Sequence, residues 1–214
     1  MARCFQPPDF KGIIVRSAET ECDQNRVAEL RRRGFGRHLS SGECDSVDWL
    51  DENDRHPDTT LLLATTVEDQ PVATLRLSSS RKRDTGLASY VPLNRILNDM
   101  EKPYIQFARL SAPKSARARD AMFALFKSAW RISERTGHRS IVLAAPPWAI
   151  RTYELLQFRD VGDKGEFVHS FGRPVAHRTM VLPIHDIYNF WRSHSNPLCN
   201  LFFDTEHPQL TTRI

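Results

Sequence analysis

The sequence predicts a mixed α/β domain, and three observations carry that prediction. Apolar periodicity changes along the chain in the order strand, helix, long loop, antiparallel strands, strand, helix, strand, helix, strands, which combines a hairpin with a strand–helix–strand crossover. Residues 140–145, Ser-Ile-Val-Leu-Ala-Ala, are an uninterrupted apolar run, the mark of a central parallel strand. No glycine-rich turn follows the first strand, which sets the chain apart from dinucleotide-binding domains. At 214 residues, 40% hydrophobic and 26% charged, the chain can bury one sizeable core. We expect a single domain over 1–214, with its core at 12–183 and a C-terminal extension at 184–214.

Each element has a local reason. Ile13, Ile14 and Val15 make a first strand over 12–16, and Thr20 or Asp23 caps a helix that runs to about Arg33 with Val27, Leu30 and Arg31 on one inward face. Residues 40–58 are polar, acidic and broken by Gly42 and Pro57, so they read as a long loop with a short helical turn at 47–50; a loop of that length in a compact domain is often functional. The apolar runs 60–66 and 71–78, joined by Glu68-Asp69-Gln70, predict an antiparallel hairpin. A short helix over 93–100 follows Pro92, and 104–111 is the next strand, closed by Pro113. Ala118, Met122, Leu125, Phe126, Ala129 and Ile132 recur at helical spacing over 116–136, and Gly137 suits the cap. Pro146-Pro147 stops the strand 140–145, a short helix occupies 150–156, and 167–170 with 177–182 close the sheet. The tail after His185 carries Tyr188, Phe190, Trp191, Phe202 and Phe203, enough aromatic surface to dock on the domain.

Composition excludes several classes. No run approaches the roughly 18 apolar residues that cross a bilayer, and residues 1–9 lack the apolar core of a signal peptide, so a cytoplasmic protein is expected. Cys4, Cys22, Cys44 and Cys199 lie far apart without zinc spacing and read as free thiols, with no metal site. The net charge is +4, and basic residues bunch at Arg31–Arg33, Arg81–Arg83 and Lys114–Arg119. Such runs favour an acidic partner or a phosphate, but no nucleic-acid-binding signature accompanies them and none is expected to bind.

Three short patterns, in order, narrow the reading. The first is Leu30-Arg31 with Phe35. The second is Asp51-Glu52-Asn53-Asp54, followed by Leu61-Leu62 and by Ala73-Thr74-Leu75-Arg76-Leu77. The third is Gln106-Phe107-Ala108-Arg109-Leu110, and beyond it the strand, basic turn, helix, strand and aromatic turn from Tyr104 to Phe158. Together they resemble the acyl-homoserine lactone synthases and N-acyl amino acid synthases, a branch of the GNAT-type N-acyltransferases. The resemblance implies a GNAT-like fold, a mixed central sheet with a splayed parallel strand pair flanked by helices.

It also implies roles. Acyl transfer from a thioester to an amine needs a deprotonated amine, a place for the oxyanion, a proton for the departing thiolate and a channel for the acyl chain. By resemblance Asp51 and Asp54 hold or deprotonate the acceptor's amine, although the same pair could cap a turn. Arg76 and Arg109, within apolar strands, need carboxylate partners, and Asp51 and Asp54 are the candidates. Arg31, Arg76, Phe107, Ala108, Arg109 and Trp148 are expected around the substrate. The family's general base is a Glu where this chain has Gln106, and its Ser is Ala108; an amide cannot accept a proton at neutral pH. Either a loop Asp or a water serves as base, or the acceptor differs, or catalysis is weakened. Tyr153 falls at the position of a tyrosine that protonates the thiolate, with Gln157 in place of the family's Gly; a plain core tyrosine is the alternative. Phe107, Met122, Phe126, Trp130, Leu143, Trp148 and Phe158 could line an acyl tunnel or be ordinary core.

The turn Lys114-Ser115-Ala116-Arg117-Ala118-Arg119-Asp120 lacks the glycines with which CoA-dependent relatives bind pyrophosphate. The homoserine-lactone and N-acyl amino acid synthases lack them too and take acyl groups from acyl carrier protein, so the resemblance implies that Leu110, Lys114, Arg117 and Arg119 meet that acidic carrier or its phosphopantetheine. The activity the resemblance implies is transfer of a medium or long fatty acyl group from acyl carrier protein, or acyl-CoA, to the amine of an amino acid or related small molecule, with no tightly bound cofactor. A CoA-dependent N-acetyltransferase and a non-catalytic acyl-binding domain are the alternatives.

Overall fold

In the computed structural model, which describes residues 8–162, 165–171, 173–185 and 187–210, one sheet organises the chain. Strands β1 (Ile13–Ser17), β2 (Thr59–Thr66), β3 (Pro71–Ser79) and β4 (Tyr104–Ser111) are antiparallel neighbours; β4 pairs in parallel with β5 (Ser140–Ala145). Beyond β5 lies β8 (Arg173–Pro183), which also pairs with β6 (Arg159–Asp160) and β7 (Glu166–Phe171). The all-apolar run of β5 is accounted for by this central position between two neighbours, one parallel and one antiparallel.

Helix α1 (Glu21–Phe35) starts where the hydroxyl of Thr20 accepts the amide of Asp23, so Thr20 is the cap and Asp23 is left to pair with Arg16 at 2.8 Å. Its buried stripe is Asp23, Val27, Leu30 and Arg31. The short helix of the long loop is α2 (Ser41–Ser46), six residues before the turn expected at 47–50. The signal was a capping box: the Ser40 hydroxyl and the Glu43 carboxylate each accept the other's backbone amide. Helix α3 (Leu93–Ile96) is shorter than expected, and α4 (Ala118–Arg135), α5 (Ile150–Leu155) and α6 (Ile187–Ser193) complete the set.

The core lies on both faces of the sheet. On one face α4 packs Phe123, Leu125, Phe126, Ala129 and Ile132 against Leu75, Phe107, Ile141 and Leu143. On the other, Leu87, Val91, Leu93 and Leu97 cover Tyr104, Val142 and Val181. The aromatic tail docks on the domain as expected, and does so on the α4 side: Trp191, Phe202 and Leu210 join that core. Lys127 of α4, wholly buried, secures the tail by donating to the carbonyls of Leu201 and Thr205 and facing the His207 ring nitrogen at 2.8 Å.

Two irregularities position the site. Parallel pairing of β4 with β5 ends at Phe107 opposite Leu143, while β5 continues against β8 to Ala145 opposite Arg178, so the two strands part beyond Phe107. The β3–β4 register also slips by one residue between Thr74 and Arg76, and Arg109 takes up the extra residue at φ 53°. Gly34 is where α1 crosses β4: a Cβ there would sit 2.1 Å from the Ser111 hydroxyl, which itself donates to the Leu30 carbonyl at 2.8 Å.

Candidate active site

The gap between the parted strands opens into a cleft of about 1030 Å³. Its walls come from β3 and β4 (Arg76, Gln106, Ala108, Arg109), from the loop after β5 (Pro146, Trp148, Ala149), from Leu87 to Tyr90, and from the inner face of the β7–β8 hairpin. This is a volume at the upper end of ordinary ligand sites.

The acidic loop and the strand arginines meet at one edge of the cleft. Arg76 Nη1 donates to Asp51 Oδ1 at 2.7 Å and lies 3.4 Å from Asp54 Oδ1; Arg109 Nη2 donates to Asp51 Oδ2 at 2.9 Å. The bulge matters here. Strand alternation would turn Arg109 away from the face that carries Ala108 and Arg76, and the left-handed residue returns its side chain to Asp51. Burial alone would raise the Asp51 pKa, but Arg76 and Arg109 outweigh it and hold the carboxyl at about 2.

Two residues expected at the substrate lie behind this edge instead. Arg31 is 0% exposed and its guanidinium is closed by Asp54, at 2.6 and 2.9 Å, and by the Trp49 carbonyl at 2.9 Å. The Asp54 side chain is 1% exposed, so it faces Arg31 rather than an incoming amine. The reason is economy of burial: a guanidinium inside the core needs a bidentate carboxylate, and the loop's second Asp supplies it. Asp51 and Asp54 do close their own turn as well, each accepting the other's amide.

Gln106 and Ala108 share a sheet face with Arg76, because paired residues on neighbouring strands point the same way. The Gln106 amide oxygen accepts the Leu87 backbone N–H at 3.1 Å, so this side chain holds the Leu87–Tyr90 wall in place. Tyr153 enters from the α4 side, its ring edge-on to Phe126 and Phe158. Burial pushes its hydroxyl up to about 12, and that hydroxyl has no hydrogen-bond partner among the described residues. Trp148 is a rim residue, 63% exposed, stacked on His38. Of the tunnel candidates, Phe107, Met122, Phe126 and Trp148 line the cleft, whereas Trp130 and Phe158 bound a separate apolar void of about 20 Å³ with Phe107 and Phe126, and Leu143 is core.

At the basic start of α4, Arg117 departs from expectation. Arg117 donates to the carbonyls of Asp9 and Lys11 and pairs with Asp120 at 3.5 Å, so it ties down the start of the described chain. Lys114 is exposed and Arg119 lies over the Phe123 ring, while Leu110, Ala112 and Pro113 line the cleft beside them. The other basic runs are engaged too. Arg32 pairs with Glu29, Arg81 donates to the Thr136 and Gly137 carbonyls that end α4, Lys82 pairs with Asp58 and Arg83 donates to Asn53. Cys22, Cys44 and Cys199 are free thiols; Cys4 lies outside the described residues.

A family model described as N-acyl amino acid synthase FeeM matches residues 26–177, well over half of the chain. The chain belongs to the N-acyl amino acid synthase FeeM family. The solved structure of FeeM, an N-acyl amino acid synthase from uncultured soil microbes, superposes with a TM-score of 0.66 at 10% identity, over 85% of this chain and 96% of that one. Arabidopsis thaliana NAA60 in complex with acetyl-CoA gives 0.57 at 16% identity, over 80% and 98%. An acyl-CoA N-acyltransferase from Pseudomonas aeruginosa gives 0.53 at 19% identity, over 79% and 97%. At such identities these likenesses speak for the GNAT fold, and the FeeM family match makes the chain an N-acyltransferase. No curated protein sequence matches it. No helix among the described residues is long and apolar enough to cross a membrane.

For a member of the FeeM family, one part of this cleft has no counterpart in the sequence patterns. Phe167, His169, Val175 and His177 line it from the β7–β8 hairpin, with Tyr90 against them: Tyr90 stacks on Phe167 at 5.1 Å and meets His169 edge-on at 5.3 Å. The available signal was two-residue alternation, Phe167-x-His169 and Val175-x-His177, which puts all four on one face of a hairpin.

Proposed function

We propose that the protein transfers a medium or long fatty acyl group from acyl carrier protein to the amine of an amino acid or a related small molecule. The observation that carries this reading is the cleft through the parted strands, with the Arg76–Asp51–Arg109 cluster on the acceptor side and the Tyr153 hydroxyl on the α4 side. The thioester lies between β4 and β5, its carbonyl exposed to an amine from the Gln106 face and its sulfur towards Tyr153. The nitrogen attacks the carbonyl carbon, the C–S bond breaks, and Tyr153, fully protonated at neutral pH, donates to the sulfur.

Charge supports an amino acid as acceptor. Arg31, Arg76 and Arg109 outnumber Asp51 and Asp54, so the cluster carries one excess positive charge, and only Asp51 and Arg109 of the five are a quarter or more exposed. An acceptor's carboxylate is therefore favoured at this edge and its amine further in. Asp54 acts in this reading as the structural anchor of the loop, and Arg31 as its partner. The donor reading rests on the glycine-free turn before α4, with exposed Lys114 next to Pro113 of the cleft wall and exposed Arg119 in the first turn of α4 to meet an acidic carrier.

Mass spectrometry of organic extracts from a bacterial host expressing the protein tests the proposal. Accumulated N-acyl amino acids are the expected result. Thiol release by the purified protein from acyl carrier protein thioesters, against the same acyl-CoA, then separates the donors. Turnover with short acyl-CoA alone would replace this reading with a CoA-dependent acetyltransferase.

A further inference from the structure

An amine acceptor arrives largely as its ammonium form and must lose a proton before it can attack. The side chains lining the cleft leave few groups able to take that proton. Gln106 is an amide whose oxygen already accepts from Leu87. Asp51 has one oxygen on Arg76 and the other on Arg109, which makes it a weak base. Tyr153 is protonated and lies on the α4 side. His38 sits at the rim, stacked on Trp148, with Arg37 Nε donating to its Nε2 at 3.2 Å. Asp84 is solvent-exposed.

The hairpin histidines remain. His169 is half-buried on the inner face of β7, in the wall of the cleft. It is faced by His177 from β8, whose ring is edge-on at 6.0 Å, by Tyr90 from the wall over the sheet, and by the charge of Arg109 from β4. His177 has its Nδ1 2.9 Å from the Val175 carbonyl, an acceptor, so Nδ1 carries a proton and donates it there. No carboxylate pairs with His169 among the described residues, and Asp51 of the cleft edge is engaged by two guanidinium groups.

We infer that His169 is the general base of the acyl transfer, doing from the β7–β8 hairpin what the amide at Gln106 cannot do from β4. This rests on the N-acyltransferase reading of the cleft. The acceptor's ammonium passes one proton to the neutral imidazole. Its lone pair forms the C–N bond at the thioester carbonyl carbon, the C–S electron pair leaves on sulfur, and Tyr153 protonates that sulfur. The second N–H proton goes to water, which also returns a proton to Tyr153 and takes one from the imidazolium. Burial, His177 and Arg109 all keep His169 below the usual histidine range, so it is neutral at physiological pH.

The test is the pH profile of kcat at saturating acceptor for the wild type, His169→Gln and His169→Asn, with donor binding and thermal melting measured on each. The wild type should show an acid limb below pH 6.5, and both variants should bind donor normally, lose about 10²-fold or more in kcat and lose that limb. Persistence of the limb in a folded variant, whatever the loss in rate, would overturn the assignment, as would its absence from the wild type. Failure of the wild type to acylate any amine would instead remove the acyltransferase reading itself. If one variant fails to fold, the other carries the comparison.

Discussion

Arg31 and Asp54 face each other through two hydrogen bonds of 2.6 and 2.9 Å, with side chains 0% and 1% exposed. The pair joins α1 to the acidic loop and sets where Asp51 stands, because the Asp51 amide donates to Asp54 Oδ2 at 2.9 Å. Removing one partner leaves a buried charge uncompensated, so Arg31→Met should cost about 3–5 kcal/mol in urea unfolding. The double variant Arg31→Met with Asp54→Leu should regain part of that loss, since no lone charge remains. Equal stability of the single variant and the wild type would show that the pair holds nothing together.

Asp51 gives a pH dependence with a definite sign. Its carboxyl titrates at about 2 in the folded protein against an ordinary 3.8, held down by Arg76 and Arg109 against the opposing effect of burial. The stabilisation is therefore complete above about pH 4 and is lost as pH falls from there towards 2. Asp51→Asn should be less stable than the wild type at pH 7, and the two should converge as pH approaches 2. A stability difference that stays constant over that interval would mean that the ion pairs do not set the Asp51 titration.

Much of this arrangement was legible in the sequence, and the limits have physical causes. Helical spacing located α4 and an uninterrupted apolar run located β5, because one buries a stripe and the other both its faces, and the cost of an unpaired guanidinium in a strand predicted carboxylate partners for Arg76 and Arg109. Asp54 was paired with the wrong consequence, because nothing in Asp-Glu-Asn-Asp says which oxygen faces the core. The resemblance sets Arg117 against an acyl carrier protein or its phosphopantetheine, and its pairing with carbonyls more than 100 residues away leaves no local mark. The bulge at Arg109 is equally silent, since a non-glycine residue at positive φ follows from tertiary pairing. His169 and His177 were missed because they become neighbours only when β7 and β8 pair.

Lys127 tests whether the tail is a working part of the domain. Its ammonium donates to the Leu201 and Thr205 carbonyls and sits 2.8 Å from His207 Nδ1. Lys127→Met keeps most of the apolar stem but leaves those acceptors without their donor, at about 1–3 kcal/mol for the buried groups together. Limited proteolysis should then cut between residues 200 and 210 faster than in the wild type. Unchanged cleavage would assign the tail's hold to Trp191, Phe202 and Leu210 alone.

Tyr153→Phe separates chemistry from packing. The ring keeps its contacts with Phe126 and Phe158, 5.9 and 5.7 Å between centroids, and the lost hydroxyl has no hydrogen-bond partner among the described residues. Stability should change by less than about 1 kcal/mol, while kcat should fall about 10²-fold if the hydroxyl protonates the thiolate. A thioester with a more acidic thiol, which leaves without help, should narrow the gap between variant and wild type. A gap independent of the leaving group would remove Tyr153 from that step.

Gln106 distinguishes a wall-holding amide from a lost base. Its oxygen accepts the buried Leu87 N–H, so Gln106→Leu should cost about 1–3 kcal/mol and loosen the Leu87–Tyr90 wall. Gln106→Glu keeps an acceptor for that N–H and adds a carboxylate on the sheet face shared with Arg76 and Ala108. Folding should be preserved, and kcat should be maintained or raised, because the new carboxylate adds a second base beside His169 without displacing it. In the His169→Gln background the same substitution should restore part of the lost rate, since a carboxylate on this face reaches the same amine. A fall in kcat on Gln106→Glu with the fold intact would show that the amide's donor N–H, and not only its oxygen, serves the acceptor.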